Sequence, residues 1–126
     1  MQNFKGRTVI ITGATGNLGR ATAQAFAAQG ASLALVARDP AGLAALQKRL
    51  GTETDAADFA ADLLQPAAVA VMVEQIAARF GRIDALVNLA GGFAMGPAVQ
   101  DTTDEEWDAM LDLNARTLFN CVRATV

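Results

Sequence analysis

A chain of 126 residues, 52% apolar and 18% charged, is enough for one globular core and too apolar to stay disordered, but it is small for an enzyme with separate cofactor and substrate regions. A formal net charge of −3 argues against nucleic acid as a partner, because phosphate backbones are held by basic patches. The absence of histidine and the single cysteine, Cys121, exclude an internal disulfide and any His/Cys metal cluster.

The opening MQNFKGRTV lacks the apolar core of a signal peptide, and no apolar run reaches membrane-spanning length. The expected compartment is the cytoplasm, with no membrane partner. Arg7 to Thr12 then reads as a short buried strand, β-branched and apolar until glycine stops it. From Asn17 the period becomes helical: Leu18, Ala21, Thr22, Ala25 and Phe26 share a face, and Gly30 sits where the helix ends. Ser32 to Ala37 is a second buried strand. Pro40 opens a helix running to Leu50, closed by Gly51.

Ala57 to Ala61 is a third strand, less apolar than the first two. Pro66 opens the next helix, with Val69, Met72, Val73, Ile76, Ala77 and Phe80 on one stripe and Gly81 at its end. Ala85 to Asn88 is a fourth strand, and a glycine-rich loop covers Gly91 to Val99. Thr103 and Glu106 form a capping box, after which Trp107, Met110, Leu111, Leu118, Phe119 and Val122 continue as helix to the end. Strands apolar on both faces, alternating with amphipathic helices, call for an α/β fold: a parallel sheet covered by helices on both sides, with right-handed crossovers.

The chemistry starts at ITGATGNLGR, where Gly13, Gly16 and Gly19 lie between the first strand and the first helix. A strand entering a helix through a glycine-rich turn builds an anion site from unpaired N–H groups and the positive end of the helix dipole. Gly13 suits the tight turn, Gly16 the approach of a pyrophosphate, and Gly19 close helix–sheet packing. The competing reading is a plain helix entry with a packing glycine. Arg38 follows the second strand, where a dinucleotide's adenosine ribose would lie, and a guanidinium there suits a 2'-phosphate, favouring NADP over NAD. A solvated loop arginine paired with Asp39 is the other possibility. Asp62 follows the third strand, placed either to accept from an adenine amino group or to cap the next helix.

TGATGNLG at Thr12 to Gly19, ADL at Ala61 to Leu63, NLAGG at Asn88 to Gly92 and EEWDAMLDLN ending at Asn114 together resemble the short-chain dehydrogenase/reductase family, in order and spacing, along essentially the whole chain. The resemblance implies a Rossmann-like three-layer α/β/α fold and an NAD(P) cofactor used on a small carbonyl or alcohol. It places the pyrophosphate on Thr12 to Gly19, including Thr15, Asn17 and Leu18, and the adenine against Asp62 and Leu63. Asn88, Ala90 and Gly91 would line the cofactor, and Asn88 would also stabilise its strand. Asn114 matches the family's catalytic-helix asparagine, whose backbone carbonyl holds a water in the proton relay to a catalytic lysine. Read without the resemblance, Asn114 is a polar residue whose local hydrogen bond distorts a helix. Phe93, Met95 and Pro97 would face substrate.

The chain departs from the family pattern in three ways. The common turn is TGxxxGxG, with glycine at the position of Asn17; here the middle glycine stands at Gly16, as in extended or atypical branches. Leu89 replaces the asparagine of NNAG, a change toward packing. Finally, family members use a serine and a Y-x-x-x-K pair, and this chain has no tyrosine. Residues 1–126 are therefore expected to be an NAD(P)-binding Rossmann domain, truncated after the fourth strand and following helices, without the C-terminal catalytic half and inactive alone. The uncovered apolar edge Ala85-Leu86-Val87 predicts self-association. Two other readings stay open: a non-catalytic NADP(H)-binding or regulatory module, and a decayed or cut product that neither binds nor reacts.

Overall fold

The computed structural model describes residues 3–126. Unbroken runs of apolar and β-branched residues make Thr8–Thr12 (β1) and Ser32–Ala37 (β2) strands buried on both faces. With Ala56–Ala60 (β3) and Ala85–Asn88 (β4) they form a four-stranded sheet in the order β3-β2-β1-β4, every pairing parallel.

Strand alternation sorts the core into two layers. Val9, Ile11, Leu33 and Leu35 face Ala23 of helix α1 (Asn17–Ala28) and Leu43 and Leu46 of α2 (Pro40–Leu50). Ile10, Ala34 and Val36 face Val69, Met72 and Ile76 of α3 (Pro66–Phe80) and Cys121 of α5 (Thr117–Thr125). The expected three-layer α/β/α sandwich is present. The chain first winds outward from β1 to β3, then crosses to the other side of β1 at β4. That reversal opens a crevice at the carboxyl ends of the strands.

Three boundaries differ from the sequence reading. The third strand runs Ala56–Ala60, not Ala57–Ala61, because Leu33 pairs with Ala56 in the β2 register. A short 3-10 turn, Val99–Asp101, precedes α4 (Asp104–Leu111). The run expected as one helix to the end is interrupted by a π turn over Asp112–Arg116, in which the Thr117 N–H reaches back five residues to the Asp112 carbonyl. Within it, the Asn114 amide donates to the Met110 carbonyl at 2.9 Å and competes for an acceptor of the helical ladder. The capping box is formed as expected, with Glu106 N–H donating to Thr103 Oγ1 at 3.1 Å and Thr103 N–H to Glu106 Oε2 at 2.8 Å.

Asp84 ties the start of β4 to β1. It accepts from the Thr8 N–H at 2.8 Å and pairs with the Arg82 guanidinium. The Arg82 hydrogen bond, then that from Thr8, holds its carboxyl below the ordinary value of 3.8. β4 is hydrogen-bonded to β1 alone, so its other edge is unpaired among the described residues.

Candidate functional site

The end of β1 turns through Gly13 at φ +62°, a conformation that side chains resist, and an added Cβ there would lie 2.6 Å from the Leu89 carbonyl oxygen. Gly19 is equally constrained: a Cβ would run into the Gly13 carbonyl and the Ala14 backbone. Gly16 is different. At φ −73° it is the N-cap of α1, it is exposed, and an added Cβ would make only an ordinary 3.4 Å contact with the Gly13 carbonyl. No side chain caps α1 and no acidic residue stands in its first turn, so the helix N-terminus keeps its free N–H groups and positive end.

A cavity of about 270 Å³ opens beside this turn, and Gly13, Thr15, Gly16, Arg38, Asp62, Leu63, Ala90 and Gly91 all line it. The remaining candidates stand outside its lining. Asn17 and Leu18 are exposed on the first turn of α1, where Asn17 Oδ1 accepts from Arg20 at 2.6 Å; Gly19 is buried beneath them. Asn88 lines a different groove, between β4 and the end of α5. Asn114 reaches the site through its neighbours. Its Oδ1 accepts from Gly92 N–H at 3.0 Å and its Nδ2 donates to Gly92 O at 3.0 Å, clamping the loop after β4 to the long helix. A Cβ on Gly91 would fall 2.5 Å from Asn114 Oδ1, so a side chain there would have to displace that clamp.

Arg38 is not paired with Asp39. Among the described residues no carboxylate lies within ion-pair distance of it, and Asp39 Oδ1 instead accepts from Ala41 N–H at 3.1 Å, capping α2. Nor does Asp62 cap α3, whose N-cap is Gln65; its Oδ1 accepts from the Leu64 N–H at 3.0 Å in a local turn. The cavity lining therefore combines a guanidinium without a carboxylate partner among the described residues, a helix N-terminus and a carboxylate.

Sequence reasoning missed several lining residues. Ala37 ends β2 and Ala61 directly follows β3, both with side chains small enough to leave space. Leu89, read as a packing residue, lines the cavity. Its N–H and that of Ala90 both donate to the buried Thr12 hydroxyl at 3.1 Å, which latches the loop after β4 onto β1. Leu113 within the π turn and Thr117 directly after it line the cavity as well. Among the described residues, no His/Cys/Asp/Glu group could hold a metal, and no helix is long and apolar enough to cross a membrane.

A family profile described as short chain dehydrogenase matches residues 7–126. A D-threitol dehydrogenase of Mycolicibacterium smegmatis is 37% identical over 115 residues, covering 90% of this chain and 44% of that protein. Among solved structures, an NADH-dependent reductase complexed with NAD superposes with a TM-score of 0.86 at 35% identity, covering 97% of this chain and 52% of the other. A metagenomic short-chain oxidoreductase in complex with NADP superposes at 0.89 with 31% identity, covering 96% and 55%. The chain spans about half the length of the curated relatives it matches.

Proposed function

The chain belongs to the short chain dehydrogenase family, and on that premise we propose that residues 1–126 are the dinucleotide-binding part of an NAD(P)-dependent oxidoreductase. When bound, the nicotinamide would supply or accept the hydride exchanged with a small carbonyl or alcohol. The observation that carries this reading is Gly16: nothing inside the chain requires a glycine there, yet it stands at the open N-terminus of α1, where a pyrophosphate would need bare backbone. Gly13 and Gly19 are needed by packing alone and weigh less.

The other roles follow from position. Thr15, Asn17 and Leu18 flank the pyrophosphate, Asp62 and Leu63 hold the adenine, and Ala90 and Gly91 line the nicotinamide side. Asn88 supports β4 from the opposite groove. A π turn releases helical carbonyls from the usual ladder, which supports a backbone carbonyl at Asn114 holding a relay water. The unpaired Arg38 and the committed Asp39 support a preference for NADP. Exposed Phe93 and Met95 suit an apolar substrate-facing wall.

Calorimetric titration of the chain with NADPH and NADH tests the reading: saturable binding is expected, and binding of neither ends it. Arg38→Ala is expected to weaken NADPH by about 10-fold or more and NADH little, the worth of a charge-assisted hydrogen bond. With no tyrosine in the chain, turnover by this polypeptide alone is expected to be absent, since a missing general acid costs on the order of 100- to 10,000-fold. The second reading is a non-catalytic NADP(H)-sensing module. A reading frame that runs past Val126 into a Y-x-x-x-K segment would eliminate that second reading.

A further inference from the structure

We infer that Asn120 is a positioning residue of the adenine subsite, acting from inside the protein on the turn that presents Asp62 and Leu63 to the cavity. The inference rests on the dinucleotide reading above. Asn120 is 2% exposed, on the face of α5 that packs against the sheet beside Cys121. Its Nδ2 donates to the Leu63 carbonyl at 2.9 Å, joining segments 57 residues apart. Arg123 donates to its Oδ1 at 3.0 Å, so the oxygen is occupied and the amide can present only its NH₂ group to Leu63. Arg123 is itself steadied over the Phe119 ring, 4.5 Å from the centroid.

Ala61 N–H donates to the Ala37 carbonyl and Gln65 N–H to the Asp62 carbonyl, both at 3.1 Å, while Leu64 N–H goes to Asp62 Oδ1. Those bonds shape the turn and hold it to β2, and the Leu63 side chain packs into the layer behind; Asn120 adds the hydrogen bond that fixes the Leu63 backbone to α5. Thr117, one helical turn before Asn120, lines the cavity itself, so Asn120 lies just below the cavity floor. A core asparagine whose one donated bond supports a ligand-facing turn sets where the Asp62 carboxylate stands. That carboxylate would read the exocyclic amino group of adenine.

The test is base discrimination by the full chain, measured as the ratio of dissociation constants for nicotinamide hypoxanthine dinucleotide phosphate, which lacks the amino group, and NADPH. The parent is expected to favour NADPH by about 10-fold, the value of one hydrogen bond to a charged acceptor. Asn120→Asp, isosteric but without the donor, and Asn120→Leu are expected to bring the ratio toward one, with NADPH weakened and the analogue nearly unchanged. Should either fail to melt cooperatively, Arg123→Ala, which frees the amide to turn while keeping the buried packing, is read in the same way. Folded variants that keep the parent ratio, or that weaken both ligands equally, overturn the inference. A parent that binds both ligands equally well overturns it while leaving the cofactor reading intact; a parent that binds neither overturns both.

Discussion

Replacing the glycines one at a time separates folding from binding. Gly13→Ala and Gly19→Ala force a methyl against backbone and should each destabilise the chain by about 1–3 kcal/mol or more, seen as a lower melting temperature. Gly16→Ala meets no obstruction and should cost the melt only about 1 kcal/mol or less, the loss of a glycine N-cap. Its dinucleotide affinity should nevertheless fall by about 10-fold or more, the cost of a methyl at a close approach. Equal affinity in that variant would argue that α1 does not hold a pyrophosphate. Asp84 carries a pH prediction. Its folded pKa lies below the ordinary 3.8, so its contribution is fully present above that value and is lost as pH falls through the folded one. Asp55, lowered chiefly by its hydrogen bond from Arg79, acts in the same direction. Melting temperature should be flat above about pH 5 and drop below about pH 4, more shallowly in Asp84→Asn.

The π turn is the element most open to disruption. Asn114→Ala removes the bonds to Gly92 and Met110 together, freeing the loop after β4 and allowing the ladder to close toward regular helix. Amide hydrogen exchange should rise at Gly92 with little change in β1 and β2; unchanged exchange at Gly92 would count against the clamp. The sequence showed the start of this run clearly, because the Thr103/Glu106 capping box is a local pattern. It gave two readings of Asn114, and the bond to Met110 matches the local one, a side chain distorting its own helix. Its grip on Gly92, 22 residues earlier in the chain, was not legible, since nothing local encodes that approach.

Among the described residues, β4 has one unpaired edge beside a groove lined by Leu86, Val122 and Val126, while Trp107, Leu118 and Phe119 stand exposed on the neighbouring helical run. Such surface favours association, and we propose that this polypeptide self-associates. Sedimentation should reveal concentration-dependent oligomers that Val122→Glu shifts toward monomer; a monomer at every concentration would dismiss the proposal. The sheet, its parallel sense, the layering helices and the glycine turn were all determined by the sequence alone, because they follow from short-range periodicity and turn chemistry. Only the tertiary structure decided that Asp39 turns to α2 and leaves Arg38 unpaired, that Asn88 faces away from the cavity, and that Leu89, Leu113 and Thr117 face into it. Each depends on which way a side chain points once distant segments meet, and a hydrogen-bond partner many residues away leaves no periodic trace in the chain.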